Sequence, residues 1–329
     1  MMGVGRTVGS GLIGLALIIG ALVIPSPAAA FSYRFSYQGA VTIKITDFTD
    51  SELYANGTTC VGVAACDAAA TPGPPPLSPI STLTGEDSWA VFKVTSILTG
   101  QVGPAGQPIG TTLWADGDNG EQLSGILYGI QDIKVTIAAD GSTGTIDSAG
   151  VTAAGFDTGI NIKVFLDSVT PYNPGPGPLA RIGQSGYPTI TDGTLFLSAH
   201  FVPGVTGPTD DPTTLIREIL TGNAPFVSTG TGFANVDGGS FATQFDTNSL
   251  TTNQGTTADL QINFRANALG SPGTPTAAQV CGPAGAATCW TTASDDPIRA
   301  SIIPQPMTLT LLGAALMALA GFGWLRKRV

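Results

Sequence analysis

Residues 159–167 read GINIKVFLD. Ile160, Ile162, Val164 and Leu166 alternate with Asn161 and Lys163. A period of two sends those four apolar side chains to one face of an extended chain and the polar ones to the other. The segment reads as a half-buried strand that needs a layer packed against its apolar face. The same pattern recurs on both sides of it. In AVTIKITDF (40–48), Val41, Ile43 and Ile45 oppose Thr42, Lys44 and Thr46. In DIKVTIAA (132–139), Ile133, Val135 and Ile137 oppose Lys134 and Thr136. Leu195, Leu197, Ala199 and Phe201 share a face in TLFLSAHFV, as do Leu260, Ile262 and Phe264 in DLQINFRAN. SWAVFKVTSIL and QLSGILYGI read as more deeply buried strands. Asp140-Gly141 and Asp192-Gly193 supply turn chemistry between strands.

One helix is expected. Asp211 would cap it, Pro212 would take its first position and Gly222 would follow its end, with Leu215, Ile216, Ile219 and Leu220 as the apolar stripe. Repeated one-faced strands predict an all-β fold, a jelly-roll-like β-sandwich over residues 31–267 with that one short helix. The Pro-rich stretches 72–79 and 171–178 read as surface loops within it. Residues 268–303, rich in Gly, Pro, Ala and Thr, read as a flexible stalk.

Composition fits an exported β-protein. The 329 residues carry 13 Lys plus Arg against 23 Asp plus Glu, a net charge of −10. Arg6 stands near the start and Arg326, Lys327 and Arg328 close the chain, so the middle is more acidic still. Such a surface repels phosphate backbones and argues against nucleic-acid binding. Only 11% of residues are charged, against about 25% in ordinary soluble domains.

The two ends read as addresses. Residues 11–24 are apolar or Gly, preceded by Arg6 and followed by Pro25-Ser26-Pro27 and Ala28-Ala29-Ala30. A positive start, a short apolar core and small residues at a cleavage site make residues 1–30 a secretory signal peptide, with Phe31 as the mature start. The run is short for a membrane span, which takes about 20 residues. Residues 307–325 carry no charge. At about 1.5 Å rise per residue they match a bilayer core of about 30 Å, and the basic triplet behind them should stay cytoplasmic.

Pro304-Gln305-Pro306, the apolar helix rich in small residues, and Arg326-Lys327-Arg328 follow one another in an order that resembles the PEP-CTERM sorting signal of Gram-negative bacteria. The resemblance covers residues 304–329, with Gln where that family has Glu. EDSWAVFKVTSI and EQLSGILYGIQDI also look like stretches of PEP-CTERM proteins. The signal peptide implies export through the inner membrane by the Sec translocon, and the resemblance implies recognition by an exosortase-type membrane protease and release to the cell surface or extracellular space. A plain anchor would instead leave a single-pass protein with a cytoplasmic C-terminus.

The cysteines form two close pairs, Cys60 with Cys66 and Cys281 with Cys289. Four cysteines allow three connectivities, and close spacing in an exported chain favours the two local disulfides. Neither pair has the spacing of a zinc site. Asp116, Asp118 and Glu121 lie on a Gly-rich loop, as calcium ligands do, but the loop does not match an EF-hand, and an ordinary acidic turn explains it as well. His200, the single His, is placed on the polar face of its strand. No Gly-x-Ser-x-Gly elbow accompanies it. The acids, Glu86 and Glu121 among them, show no pairing of the kind glycoside hydrolysis needs and read as solvated surface charges. Trp89, Trp114, Tyr128 and Trp290 could stack on sugar rings or fill the core. The reading is a non-catalytic structural or adhesive component of an exopolysaccharide matrix. A secreted polysaccharide-active enzyme and a carbohydrate-binding module are the alternatives.

Overall fold

The computed structural model describes residues 37–71, 85–100, 110–168, 171–207, 211–221 and 227–303. The signal segment 1–30, the Pro-rich stretch 72–79 and the sorting segment 304–329 lie outside the described residues. Among the described residues no helix is long and apolar enough to cross a membrane.

Alternation makes the strands. In chain order they are β1 (Gly39–Ser51), β2 (Leu53–Tyr54), β3 (Thr59–Val61), β4 (Ala70–Thr71), β5 (Ser88–Thr99), β6 (Thr112–Ala115) and β7 (Gln122–Ile137). They continue with β8 (Thr143–Gly150), β9 (Asn161–Asp167), β10 (Thr194–Val202), β11 (Ile216–Thr221) and β12 (Val227–Gly238). The last are β13 (Leu250–Thr251), β14 (Thr257–Ala258), β15 (Leu260–Ala268) and β16 (Thr292–Ile302).

The expected sandwich is a barrel. Hydrogen bonding runs β1-β5-β7-β9-β10-β12-β15-β16 and returns to β1, a closed ring of eight antiparallel strands. Alternation in sequence fixes which face is buried. It does not say whether the covering layer is a second sheet or the same sheet curled round on itself. The long strands β7 and β12 decide the matter here. The first half of β7 pairs β9 through Gln122–Tyr128, and its second half pairs β8 through Ile130–Ile137. On β12, Phe233 pairs Val202 of β10 while the preceding Gly232 pairs Ile216 of β11. The ring therefore has two routes between β7 and β12: β9-β10 at one end, β8-β11 at the other.

The seam between the routes needs glycine. A Cβ on Gly150, at the end of β8, would stand 2.2 Å from the Cα of Gly159, just before β9. No side chain fits there.

Two further expectations change. The segment expected to be helical is β11. Leu215, Ile216, Ile219 and Leu220 suit a helical stripe, yet Ile216 and Leu220 also share a strand face. Asp211 caps no helix. Its Oδ1 accepts from the backbone N–H (2.8 Å) and hydroxyl (2.6 Å) of Thr213, closing a local turn. The residues placed in a stalk are structural. β16 lies between β1 and β15, and a short helix at Ala277–Gly285 starts with a Thr276/Gln279 capping box. Small and acidic inward residues hid the alternation of β16. The barrel thus runs from Gly39 to Ile302.

Its interior is unevenly filled. At the β9-β10 end, inward residues are branched or aromatic: Val41, Ile43 and Ile45 of β1, Ile298, Ala300 and Ile302 of β16, Leu260 and Ile262 of β15. Phe241 and Phe245 plug this end, with Phe196 stacked on Phe241 at 4.4 Å. Each such large side chain stabilises by about 1.5–3 kcal/mol when fully buried. Outside the barrel, Trp89, Ile126, Tyr128, Tyr187 and Trp290 form a second cluster. Residues from the 171–178 loop cover it: the Trp290 indole N–H donates to the Pro174 carbonyl at 2.9 Å.

Candidate functional site: a half-hollow barrel

The inward face of β1 reads Val41, Ile43, Ile45, then Asp47, Thr49 and Ser51. Halfway along the strand the branched apolar residues stop. The antiparallel neighbour β16 changes at the same level, from Ile302, Ala300 and Ile298 to Asp296, Ser294 and Thr292. Short or small side chains, Ser88, Ala90, Ser228, Ala266 and Ala268, line the same level of the other strands. They cannot fill the space, and the β8-β11 end of the barrel holds a cavity of about 580 Å³.

Its walls are apolar on the β7, β8 and β15 sides, through Leu127, Ile130, Ile137, Ile146 and Phe264. Leu53, Tyr54, Leu269, Ala277, Ala286, Cys289 and Trp290 lie around its outer end. Both disulfides, Cys60–Cys66 and Cys281–Cys289, are formed and sit at this end. Cys66 packs with Tyr54, Ile137 and Leu220, and Cys289 lines the cavity itself.

Four carboxylates line the cavity: Asp47, Glu52, Glu218 and Asp296. No Lys, Arg or His is among its described lining residues. Asp47 accepts from Thr49 Oγ1 at 3.0 Å and from the Ser294 hydroxyl. Asp296 accepts from the Arg265 backbone N–H at 2.6 Å. That bond replaces ladder pairing at the level of Pro297, which has no N–H to give. Asp47 and Asp296 also hydrogen-bond each other, and burial pushes both acids up, Asp296 well above the usual carboxylate range because Asp47 adds its charge. Burial lifts Glu218 to about 7, with Asp132 and Asp47 adding to the rise and a Ser228 hydrogen bond opposing it. Burial and the charges of Asp132 and Asp67 lift Glu52 to about 7. Glu218 is only half-buried by area although protein surrounds it. The surface it retains faces the lumen.

The Glu218 side chain fits because its neighbour on β12 is Gly230. A Cβ there would lie 2.9 Å from Glu218 Cγ.

A second acidic group lies in the barrel wall. Asp132 accepts from Tyr54 Oη and Ser148 Oγ, each at 2.8 Å. Its backbone N–H donates to Asp87, whose carboxyl burial and the Asp132 charge lift to about 9. Outside the barrel, Arg181 holds Glu86 through two bonds of 2.5 and 3.1 Å and lies 4.5 Å from the Trp89 ring centroid.

These positions correct the expectation that the acids are solvated: Asp47, Asp50, Glu86, Asp87, Glu121, Asp132, Asp147, Asp259 and Asp296 are all buried. The calcium candidates do not converge. Asp116 pairs with Lys93 Nζ at 2.8 Å, Asp118 accepts from the Ala115 backbone N–H at 3.1 Å, and Glu121 is buried. Among the described residues no group of three acidic, His or Cys side chains could hold a metal. His200 sits on β10 with its Nδ1 3.2 Å from Asp237 Oδ2, remote from the lumen lining. Trp89, Trp114, Tyr128 and Trp290 are buried.

Sequence reading missed Asp47, Glu52, Glu218 and Asp296. The signal was present on β1, where one face passes from Val-Ile-Ile to Asp-Thr-Ser without a break in alternation. Searches against protein-family profiles, curated proteins and solved structures match nothing to this chain.

Proposed function

We propose that this chain is an exported surface protein that binds a small molecule inside its barrel. The observation that carries the reading is the cavity of about 580 Å³ in one half of a barrel whose other half is filled by branched and aromatic side chains. Volumes of about 300–1,000 Å³, apolar walls and a few convergent polar groups are the usual make-up of a ligand site. A vacant apolar cavity costs packing energy. Here the small side chains that create it are contributed by five neighbouring strands, β12, β15, β16, β1 and β5. The signal-like start, the PEP-CTERM-like tail, the low charge content and the local disulfides support an extracellular address, reached through an exosortase-type system. A matrix role accords with that address, with the barrel as the part displayed. A row of exposed aromatics, which a carbohydrate-binding module would use, finds no support in Trp89, Trp114, Tyr128 or Trp290.

The test is uptake of a neutral apolar fluorophore, 1-N-phenylnaphthylamine. One dye should enter per chain, and Ala266→Trp, which fills the lumen, should abolish uptake. No uptake by the folded wild type would overturn the reading. Mass spectrometry of the exported form tests the address: it should begin at Phe31 and lack the apolar tail.

A further inference from the structure

We infer that the ligand of the lumen is an organic cation, a protonated amine carried on an apolar body. The inference rests on the lumen being a binding site and adds the chemical class.

Charge is the first ground. The cavity is lined by four carboxyl groups and, among the described residues, by no basic side chain. Buried acids are ordinarily matched by Arg or Lys, as Glu86 is by Arg181 in the outer cluster. Among the described residues that match is missing from the lumen, and a bound cation would supply it.

Placement is the second ground. Along the ring at the hollow end, β1-β5-β7-β8-β11-β12-β15-β16, β11 stands opposite β1. Glu218 therefore reaches in from the wall facing Asp47 and Asp296, and it senses the charge of Asp47. A cationic head between these walls meets acceptors from both sides. Glu52 adds a further one: its Oε2 is buried and without a hydrogen-bond partner, as is Oγ1 of Thr292 on the same lining.

The third ground separates an organic cation from a metal ion. The acids are spread over facing walls, and no three of the described ones come together as a metal site requires. The surface between them is Ile130, Ile137, Ile146, Leu220 and Phe264. That surface suits an alkyl or aryl body and gives a bare ion nothing. An anion would meet acidic groups on both facing walls, and a neutral amphiphile would leave the ionised carboxyls unmatched.

The experiment displaces the dye from the exported protein at pH 7.5 with three ten-carbon probes: decylamine, decanol and decanoate. Decylamine should compete at least about tenfold better than decanol, and decanoate worst, because a desolvated carboxylate discriminates strongly by charge. The Asp47→Asn/Glu218→Gln double substitution should bring decylamine down to the level of decanol while dye uptake persists. Equal competition by decanol or decanoate, with dye still bound, would overturn the cation and leave the lumen site standing. Absence of dye uptake would overturn the lumen site itself. The wild-type probe series decides the question even where the double variant does not fold.

Discussion

Asp47 on β1 and Asp296 on β16 hydrogen-bond each other across the seam that closes the barrel. Directly opposite pairs on that ladder are Ile45 with Asp296 and Asp47 with Ser294, so the two acids meet diagonally on the lumen face. Two coupled carboxyls buried beside the lumen cannot both ionise cheaply, so the folded pair should share one proton.

Asp296→Asn replaces that shared proton with an amide N–H and keeps an oxygen for the Arg265 backbone N–H. The expected result is a gain of about 1–2 kcal/mol at pH 8, where the native pair must hold its proton against solvent, shrinking towards zero at pH 5. Urea unfolding at the two pH values reads the difference.

The lumen acids set the sign of the pH dependence of stability. Glu218 and Glu52 move from an ordinary value of 4.5 to about 7, and Asp50, under the outer cluster, moves from 3.8 to about 7. The groups that raise Glu218 are Asp132 on β7 and Asp47 on β1. Those that raise Glu52 are Asp132 and Asp67, and Asp50 feels Glu86 against Arg181. In each case the folded chain binds the proton more tightly than the unfolded chain. Their contribution is fully present below about pH 4 and is lost as pH rises through 7. The melting temperature should therefore climb on acidification from pH 7.5 to 5. Exposed acids with lowered values, such as Asp140 and Asp211, act only below 3.8.

The outer cluster depends on Glu86 and Arg181, both fully buried. Glu86→Gln removes the carboxylate partner of a buried guanidinium that keeps its bonds to the Gln184 carbonyl beside Trp89, and the expected loss is about 3–5 kcal/mol. Chemical denaturation measures it. Dye uptake by the folded fraction should survive, because neither residue lines the lumen.

Gly230→Ala places a methyl group 2.9 Å from Glu218 Cγ and 3.3 Å from Phe264 Cδ2. Gly230 has an ordinary strand conformation, so the cost falls on the neighbours that must give way, the Glu218 side chain first and the Arg217 carbonyl 3.2 Å away. Stability should fall by about 1–3 kcal/mol, and affinity for decylamine should fall more than affinity for the dye. Parallel titrations of the two ligands check this.

Much of the β-structure was legible because period-two alternation is a direct record of which face is buried. The strands around Val41, Ile162, Leu197 and Ile262 were found in that way. Closure was not legible, because Ile162 looks the same whether a second sheet or the far wall of its own barrel covers it. β11 was misread because Ile216 and Leu220 satisfy helix and strand spacing alike, and only pairing with β8 and β12 distinguishes them. β16 was missed for the reason that gives the site its character. Its inward residues at the hollow end, Thr292, Ser294 and Asp296, are not apolar, so a search for apolar faces passes over them. β16 and the polar wall of the site were hidden by one property: on that side the lumen is lined by residues that ordinarily face water.

The most direct test is a crystal structure of the protein grown with decylamine. The account predicts the ammonium between Asp47, Asp296 and Glu218, with the alkyl chain running along Ile130, Ile146 and Phe264 inside the barrel. A lumen that holds only water, with the amine on the outer surface or nowhere, would contradict it.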